Sequence, residues 1–502
     1  MAILSPRERQ FLDATSRCGS ANPFTEELTA AERDALGDAF VLDFPVWSLD
    51  VRDPMKPRAN SWEIARRLEE LLPVIRHRVR NGKVAADGEP RLYQDGALHA
   101  LYYRFYRPMS EAATGGGTAH RRWSFYREFE AAWAEAFSLP EAWVPDMKTA
   151  HVFGLYYQFV RAFLLLFENI LGTSQPAARL RASVWRSIFT HDLRRYSRTL
   201  YNRMGGFATL ITGPSGTGKE VVARSIARAR YQPFDPVKLT FPYEADALFW
   251  PLNIAALTPT LVESELFGHR RGAFTGAMTD RKGYLESCPE LGAVFLDELG
   301  EMSAEVQVKL LRVIEAREFT PVGDTKARRF AGKLIAATNR DLARAIQDGK
   351  FREDLYYRLC SDLIETPSLA QQLQETPAVL EELVSYMAHR NGADDGFAEG
   401  AVAWIRRNLA GHAWPGNYRE LEQCVRNLLI RGEYRPAAAQ TASLPWLAQA
   451  ERGELTADAL LNHYCRLVHG KAGTYEGAAE KLGLDRRTVK ARVTAGGLGM
   501  RG

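Results

Sequence analysis

The stretch Gly213-Pro214-Ser215-Gly216-Thr217-Gly218-Lys219-Glu220 decides the fold of the centre of this 502-residue chain. An apolar run precedes it at residues 207–212, and a segment typical of a helix follows it at residues 221–230. A glycine loop between strand and helix points backbone N–H groups inward in front of a helix N-terminus, which favours bound phosphate. Lys219 is spaced to reach the outer phosphates, whereas Glu220 replaces the Ser or Thr that usually helps to hold Mg²⁺.

A second motif follows downstream, where the apolar residues 294–296 end in two acids, Asp297 and Glu298. After a phosphate loop, this pair is typical of a nucleoside triphosphatase. Asp297 is expected to bind Mg²⁺, directly or through water, and Glu298 to orient and deprotonate the attacking water. Alone, the pair is weak evidence, since an acidic strand end also caps helices. Together the two motifs predict an α/β P-loop ATPase domain that uses ATP and Mg²⁺.

Two polar positions are candidate nucleotide contacts. Asn339 follows the apolar residues 334–338, where it is suited to contact the γ-phosphate or the attacking water, although Thr-Asn is also common in turns. Arg419 lies in the first turn of a predicted helix after Trp414-Pro415-Gly416. It is either a surface arginine or one that reports the nucleotide state to a helical lid.

Arg352 and Arg358 lie six residues apart in a charged segment. An arginine supplied in trans can stabilise the charge that develops on a transferred phosphoryl group. From spacing alone, however, surface ion pairs with Glu353 and Asp354 are the favoured interpretation.

The segment Gly272-Ala273-Phe274-Thr275-Gly276-Ala277 is the most unusual of the chain. It follows a predicted helix that Thr258-Pro259 caps and that runs to about Phe267. Glycines allow a loop to swing, and a Phe at a loop tip is costly to expose unless it meets a partner. A buried hairpin turn is the alternative.

With these motifs in place, residues 183 to about 432 resemble the AAA+ domain of bacterial enhancer-binding proteins, the activators of sigma-54 RNA polymerase. The resemblance covers about half of the chain and implies an ATPase ring, usually a hexamer, that remodels the sigma-54 holoenzyme. The segments that carry it are residues 213–220, Glu-Ser-Glu-Leu-Phe-Gly-His at 263–269, residues 272–277, Phe-Leu-Asp-Glu at 295–298, Ala-Ala-Thr-Asn-Arg at 336–340, Phe-Arg-Glu-Asp-Leu-Tyr-Tyr-Arg-Leu at 351–359 and Trp-Pro-Gly-Asn at 414–417.

The resemblance also implies roles for single residues. It makes Arg352 and Arg358 arginine fingers that reach the ATP of a neighbouring subunit, against the interpretation from spacing alone. It makes Asn253 the side chain that holds Glu298 between cycles, and Glu220 is normal in this family. The positions that match its nucleotide sensors are Asn339 and Arg419.

The resemblance further makes residues 272–277 the loop that grips sigma-54, assisted by a second loop near residues 318–327. Two segments depart from the family pattern. Residues 368–373, Ser-Leu-Ala-Gln-Gln-Leu, stand where members of the family usually carry an arginine-rich stretch. The segment at residues 231–250 is longer than the corresponding segment usually is in the family.

The C-terminal residues 456–502 resemble a Fis-type helix-turn-helix. Tyr475 to Leu482 is the predicted first helix, followed by a turn and a recognition helix that Asp485 caps and that runs to about Thr494. Residues 471–502 contain seven Lys or Arg and three acids, a net charge of +4. The side chains expected to face double-stranded DNA at upstream activating sites are Arg486, Arg487 and Lys490. Alone, the block would fit a solvated basic helix about equally well.

Residues 1–182 are predicted to form a mainly helical, regulatory or sensory domain of no recognised family. Aromatic residues between Trp123 and Phe137 recur at spacings of three and four, which indicates a helical stripe that packs in a core rather than a ligand box. Residues 173–178 are predicted to be a linker before the domain at 183–432, and residues 433–455 a second linker. The position of the block implies that it senses a signal, which no residue identifies. Repression of the ATPase that the signal relieves is the expectation, because a domain that only blocks ring assembly needs just one good interface.

The bulk composition excludes several classes of protein. The 5 cysteines show no CxxC pairing, so neither a disulfide framework nor a zinc site is indicated. The N-terminus does not read as a signal peptide, and the apolar residues 152–171 contain Gln158, Arg161 and Glu168, which favours a buried helix over a membrane span. A cytoplasmic protein without a membrane partner is therefore expected. The alternatives are an AAA+ remodeller of another protein and a DNA-binding repressor that nucleotide switches.

Overall fold

The computed structural model describes residues 3–42, 58–82, 85–114, 122–436, 446, 449–450 and 453–494. The chain divides into two compact units, Met1–Val425 and Arg426–Gly502. The linker predicted at 433–455 falls largely outside the described residues.

The first unit begins with a helical region, as predicted. Its long helices are α1 (Pro6–Cys18), α2 (Glu26–Leu36), α3 (Ala59–Arg80), α4 (Glu89–Thr114), α5 (Tyr126–Ala136), α6 (Thr149–Asn169) and α7 (Gln175–Phe189), followed by the short α8 (Leu193–Arg195) and a π-helical turn at Tyr196–Leu200.

The aromatic stripe packs in a core, so the prediction of core packing is confirmed. Trp123, Phe129 and Phe137 are all buried. The rings of Phe129 and Phe153 meet edge to face, with centroids 5.3 Å apart, which joins α5 to α6. Such tilted aromatic contacts add to the free energy gained from burying the rings.

Helix α6 is the one described helix that is long and apolar enough to cross a membrane by length and composition. Two-thirds of its apolar window, 67%, is buried within the protein. The amide of buried Gln158 donates hydrogen bonds to the Tyr196 hydroxyl and the Ala229 carbonyl, and Arg161 donates to the Arg230 carbonyl. The contacts are those of a core helix, as the polar residues predict.

An α/β domain follows, built on a parallel five-stranded sheet with the strand order β2-β5-β8-β1-β9. Because these strands are parallel, the residues at their carboxyl ends share one edge, where α/β sheets bind ligands. The strands of the sheet are β1 (Thr209–Thr212), β2 (Phe249–Asn253), β5 (Ala293–Asp297), β8 (Lys333–Thr338) and β9 (Leu363–Glu365).

Two small antiparallel pairs stand apart from this sheet: β3 (Gly268–His269) with β4 (Arg281–Lys282), and β6 (Glu318–Phe319) with β7 (Arg328–Arg329). The helices of the domain are α9 (Lys219–Arg228), α10 (Pro259–Phe267), α11 (Tyr284–Ser287), α12 (Ala304–Ala316), α13 (Leu342–Gln347), α14 (Glu353–Leu359), α15 (Leu369–Glu375), α16 (Val379–Arg390), α17 (Asp395–Asn408) and α18 (Asn417–Arg431). Helix α10 begins after Thr258 and ends at Phe267, so its predicted bounds are confirmed.

The helical region and the α/β domain share one hydrophobic core. Leu166 of α6 and Val184 of α7 belong to the same buried cluster as Val222 and Ile226 of α9 and Ile211 of β1. Burial of this shared apolar surface is the main free-energy term that joins the two parts.

The prediction of a linker at residues 173–178 is wrong. The side chain of Ser174 caps α7 by accepting a hydrogen bond from the Ala177 N–H, and Ser174 itself is fully buried. The Thr173 N–H donates to the carboxylate of Glu382 on α16. Pro176 at the second position of a helix starts that helix instead of breaking the chain, because its missing N–H would be unpaired there in any case. The domain boundary proposed between residues 182 and 183 falls inside α7.

The structure explains the length of the segment at residues 231–250. Phe234, Leu239 and Phe241 are buried in the core of the helical region, with the Tyr126 and Phe234 rings 4.8 Å apart. The Trp123 N–H donates to the Leu239 carbonyl at 2.8 Å. The segment therefore extends the α/β domain into the helical region.

The second unit is helical. Its described helices are the C-terminal end of α18, then α19 (Ala457–Ala472), α20 (Tyr475–Leu482) and α21 (Arg486–Thr494). The bounds predicted for α20 and for the end of α21 are confirmed. Asp485 accepts a hydrogen bond from the Arg487 N–H at 2.8 Å, which is the expected capping contact.

Candidate nucleotide site and exposed loop

The glycine loop joins β1 to α9 at the carboxyl edge of the sheet, as predicted. Gly213 and Gly216 both have positive φ, 143° and 77°. A Cβ at Gly213 would lie 2.2 Å from the Thr366 hydroxyl, and one at Gly216 would lie 2.2 Å from the Gly416 carbonyl. Only glycine fits these two positions, so the loop needs its glycines for close backbone packing as well as for its turns.

Lys219, the first residue of α9, folds back over the loop. Its ammonium donates to the carbonyls of Gly213 at 2.9 Å and Pro214 at 3.0 Å. Burial lowers the pKa of Lys219, and the carboxylates of Glu298 and Asp297 oppose that shift. The loop thus holds a partly buried positive charge beside the acidic end of β5.

The two acids lie where the sequence predicts, at the end of β5. Burial raises the pKa of Asp297, which accepts a hydrogen bond from the Glu298 N–H at 3.0 Å. Glu298 has φ 55°, in the left-handed region, which costs a non-glycine residue free energy and is typical of functional sites. The Asn253 amide lies 3.5 Å from Asp297 Oδ2, so its described contact is to Asp297 rather than to Glu298 as the resemblance implies.

These features fit a triphosphate and a divalent cation. The loop places backbone groups in front of the N-terminus of α9, and the buried Lys219 and the partly buried Asp297 lie at the same edge of the sheet. Asn339 is exposed directly after β8, at that edge. Glu220 is half-exposed and pairs with Arg224 one turn along α9, at 2.8 Å.

Both candidate finger arginines are exposed and paired within the chain. Arg352 lies just before α14 and binds Asp354 at 2.7 Å, one of the pairs expected from spacing. Arg358, on α14, pairs with Glu315 of α12 at 2.9 Å instead of with Glu353. Their side chains are 46% and 61% exposed, so both guanidinium groups are accessible from outside this chain.

The start of α18 contacts the glycine loop directly. The Asn417 side chain donates to the Ser215 carbonyl at 2.9 Å, and the Tyr418 N–H donates to the Gly216 carbonyl at 3.2 Å. A Cβ on Gly216 would lie 3.3 Å from the Arg419 Cβ, so Arg419 begins its side chain beside the loop. Sequence reasoning singled out Arg419 and missed Asn417 and Tyr418, although Trp-Pro-Gly-Asn at 414–417 was the signal available.

Residues 368–373, whose sequence differs from the expected family pattern, form the cap and most of α15, which contacts this site. Buried Gln372 accepts a hydrogen bond from Ser174 at 3.0 Å and donates to the Tyr418 hydroxyl. The Leu369 N–H donates to the Asn417 side chain at 2.8 Å. A chain of hydrogen bonds thus runs from the start of α7 to the glycine loop, and no motif in the sequence pointed to it.

Residues 272–277, here called loop 1, project between β3 and β4. The Gly272 N–H donates to the Ala277 carbonyl at 2.8 Å, which closes the loop. The Phe274 ring is half-buried against the His269 ring, with centroids 5.0 Å apart. The residues of loop 1 that are exposed to solvent are Gly272, Thr275 and Gly276.

Residues 318–327, here called loop 2, pack against the base of loop 1. The Arg270 N–H donates to the Val322 carbonyl at 2.9 Å. The Arg270 side chain pairs with Asp324 at 2.8 Å and with Asp280 at 2.6 Å. Backbone hydrogen bonds and Arg270 lower the pKa of both carboxyls, so the loops are joined by charges that persist at neutral pH.

In the second unit, the three predicted DNA contacts differ in their surroundings. Arg486 pairs with Glu476 of α20 at 2.8 Å. Arg487 and Lys490 are exposed on α21.

Comparison with known proteins agrees with the motifs. The model of the Sigma-54 interaction domain matches residues 190–365. The Nif-specific regulatory protein of Azotobacter vinelandii is 38% identical over 302 residues, covering 58% of this chain and 55% of that protein. The transcriptional regulatory protein ZraR of Escherichia coli K12 is 38% identical over 294 residues, covering 57% of this chain and 62% of ZraR.

The chain therefore spans about three-fifths of the length of the curated relatives it matches. Among solved structures, NtrX of Brucella abortus in complex with ATP aligns at 26% identity and a TM-score of 0.40, over 70% of this chain and 77% of NtrX. The motifs, their geometry and the family model agree: residues 190–365 of this chain match the Sigma-54 interaction domain, and the chain is similar to bacterial enhancer-binding proteins.

Proposed function

We propose that this protein is an ATP-dependent transcriptional activator that remodels the sigma-54 RNA polymerase holoenzyme from upstream DNA sites. One observation carries the proposal: loop 1, with exposed Thr275, projects from a hairpin that packs against loop 2, in the same domain as the phosphate loop and the acid pair. A domain that has both a hydrolysis site and an exposed contact loop can couple ATP turnover to a conformational change in a bound partner.

The proposed roles at the nucleotide site follow from charge and position. Bound ATP with Mg²⁺ would supply the phosphoanhydride bond whose hydrolysis drives the cycle. Lys219 and the loop N–H groups bind the phosphates, and Asp297 holds the cation directly or through water. Glu298 orients a water and takes its proton, while Asn253 and Asn339 position groups at the same edge of the sheet.

The proposed assembly is a ring of six identical subunits, the number that the resemblance to the family implies. Arg352 and Arg358 then complete the ATP site of the neighbouring subunit, where they would stabilise the charge of the transferred phosphoryl group. Each must first exchange its own-chain carboxylate, Asp354 or Glu315, for the phosphate. Arg419 would register the nucleotide from within the same chain.

The proposed DNA contact lies in the C-terminal unit. Arg487 and Lys490 are exposed on α21 and suit a helix that enters the major groove or lies along phosphates, whereas Arg486 would first have to leave Glu476. Activity on a bacterial RNA polymerase places the protein in the cytoplasm under this proposal.

Two alternative functions make different demands on these residues. A remodeller of another protein would share the ATPase but would have no use for a sigma-54 loop. A nucleotide-switched repressor would not need Glu298 or two exposed arginines for turnover.

In vitro transcription with purified full-length protein separates the three functions. The proposal predicts ATP-dependent open complexes at a promoter read by sigma-54 and none at a promoter read by a different sigma factor. ATP hydrolysis without open complexes would favour the remodeller of another target, and DNA binding without hydrolysis would favour the repressor.

A further inference from the structure

Thr366 lies directly after β9, at the edge of the sheet where the glycine loop begins. Strand β9 pairs with β1 as far as Glu365 and Thr212, so Thr366 stands beside Gly213, the first residue of the loop. The Thr366 N–H donates to the Thr212 carbonyl at 2.8 Å. A Cβ on Gly213 would lie 2.2 Å from the Thr366 hydroxyl, so that hydroxyl lies against the backbone of the loop.

The Thr366 hydroxyl contacts one side chain of the glycine loop. Its Oγ1 lies 2.6 Å from Oγ1 of Thr217, and both residues are buried. Thr217 Oγ1 also donates a hydrogen bond to the Pro214 carbonyl at 2.8 Å, within the loop. Thr366 therefore reaches the loop through the hydroxyl of Thr217.

The distances favour one direction for these hydrogen bonds, since each hydroxyl has a single hydrogen to donate. In one arrangement Thr366 donates to Thr217, which donates to the Pro214 carbonyl at 2.8 Å. In the other, Thr217 donates to Thr366, which donates to the Thr212 carbonyl at 3.2 Å. Bonds between oxygens are most common at about 2.7–2.8 Å, which favours the first arrangement. In that arrangement Thr366 orients the Thr217 hydroxyl toward Pro214.

The Pro214 carbonyl is shared between Thr217 and Lys219. The Lys219 ammonium donates to this carbonyl at 3.0 Å and to the Gly213 carbonyl at 2.9 Å. A triphosphate on the loop would draw the ammonium to its own oxygens, because hydrogen bonds to an anion are stronger than those to a neutral carbonyl. Pro214 then keeps the hydrogen bond from Thr217, so the shape of the loop around phosphate depends on the hydroxyl that Thr366 orients.

The segment that begins at Thr366 also holds the loop at a second point. The Leu369 N–H donates to the side chain of Asn417, whose amide donates to the Ser215 carbonyl. We propose that Thr366 is a positioning residue for ATP binding, which acts through Thr217 to hold the glycine loop in the conformation that binds phosphates. The inference rests on the ATP site of the proposed function, but not on sigma-54.

Thr366→Val tests the assignment, because valine keeps the shape of threonine and lacks the hydroxyl. A methyl carbon cannot approach the Thr217 oxygen to 2.6 Å, since carbon–oxygen contacts begin at about 3.3 Å, so the loop must shift. The Kd of the full-length protein for mant-ATP with Mg²⁺ should rise about 3- to 10-fold. The KM for ATP should rise by the same factor with kcat unchanged, the result expected when ground-state binding alone is lost. Thr366→Ser, which keeps the hydroxyl, should restore the affinity.

A double-mutant cycle separates positioning from a merely structural role. Thr217→Val should itself weaken binding, and adding Thr366→Val should leave the Kd close to that of the single variant, because the route through Thr217 is already cut. Thr209→Val is the matched control. It removes a buried hydroxyl at the other end of β1, which donates to Asp362 at 2.7 Å, and should lower the unfolding midpoint without changing the Kd.

Unfolding curves check that each variant folds, and Thr366→Ala carries the same prediction should Thr366→Val unfold. Wild-type affinity in a folded variant that lacks the Thr366 hydroxyl overturns the inference. So does an equal loss of affinity on adding Thr366→Val to the wild type and to Thr217→Val. Either result leaves the proposed function standing, whereas the predicted loss of affinity in a protein that forms no open complexes with sigma-54 polymerase would contradict the proposed function alone.

Discussion

At the scale of single residues, the acid pair at the end of β5 has a defined geometry. Asp297 is partly buried and receives the Glu298 N–H, while Glu298 adopts a left-handed backbone conformation that a glycine would adopt more cheaply. Non-glycine residues in such sparsely populated backbone conformations cluster at functional sites. We infer that this conformation aims the Glu298 carboxylate at the attacking water.

Replacing Glu298 by Gln should therefore retain ATP binding and lower steady-state phosphate release by about 10²- to 10⁴-fold, since the water loses its base. Equilibrium binding of a fluorescent ATP analogue and a phosphate-release assay measure the two quantities. Glu301→Gln, three residues away and paired with Arg340, is the matched control and should keep near wild-type turnover. Turnover close to wild type in the Glu298 variant would remove the residue from catalysis.

Arg358 offers a second test at this scale, because it is exposed and acts, in our proposal, on a neighbouring subunit. Pure Arg358→Ala and pure Lys219→Ala should each lose ATP hydrolysis. Mixing the two should restore part of it, since one subunit lends the arginine and the other the phosphate site. If hexamers form in the mixtures and no ratio recovers activity, the arginine does not act in trans.

At the scale of elements, α15 connects parts that the sequence shows as separate. Gln372 joins Ser174 at the start of α7 to Tyr418 at the start of α18, and α18 in turn contacts the glycine loop. The helical region is thus hydrogen-bonded to the nucleotide site by one buried side chain. The segment 368–373 that departs from the family pattern supplies that side chain.

Replacing Gln372 by Ala should lower the free energy of unfolding by about 1–3 kcal/mol, because Ser174 and Tyr418 lose a buried partner. It should also weaken ATP binding, since the start of α18 is no longer held against the loop. Gln374→Ala, exposed on the same helix, should change stability by less than about 0.5 kcal/mol. Denaturant unfolding and ATP titrations measure both effects, and equal behaviour of the two variants would disprove the connection.

How far the sequence predicts each element depends on the range of its interactions. The phosphate loop, the acid pair and the bounds of α10 and α20 follow from local patterns, because turns, caps and strand ends are determined by neighbouring residues. The burial of Phe234 and Phe241 in the helical region and the partners of Gln372 depend on contacts between distant segments. No local pattern encodes those contacts, and residues 173–178 were mistaken for a linker for the same reason.

At the scale of the whole molecule, the helical region and the α/β domain of the first unit are not independent modules. Helices α6 and α7 share a buried apolar cluster with the phosphate-loop helix α9. Phe234, which follows α9, is buried in the core of the helical region. Binding events in the helical region can therefore reach the ATP site through packing as well as through Gln372. Such coupling suits a regulatory domain, which is the role proposed for residues 1–182.

Deleting residues 1–182 tests directly whether the helical region is a separable module. The sequence alone favours a constitutively active product, but the cut falls inside α7 and strips α6 from α9. We now expect a poorly soluble protein with a lower unfolding midpoint and little ATPase activity, because buried apolar side chains become exposed. Gel filtration, thermal unfolding and phosphate release measure this, and a stable, soluble hexamer with raised activity would restore the simpler view of a removable repressor.

The central claim is that loop 1 transmits ATP hydrolysis to sigma-54, and Thr275→Ala tests it most directly. Thr279→Ala is the matched control, since Thr279 is also an exposed threonine on the same hairpin but lies outside loop 1. In an assay that records ATP hydrolysis and open-complex formation together, Thr275→Ala should hydrolyse ATP near the wild-type rate and form no open complexes, while Thr279→Ala retains both. Wild-type open-complex formation by the Thr275 variant would contradict the account.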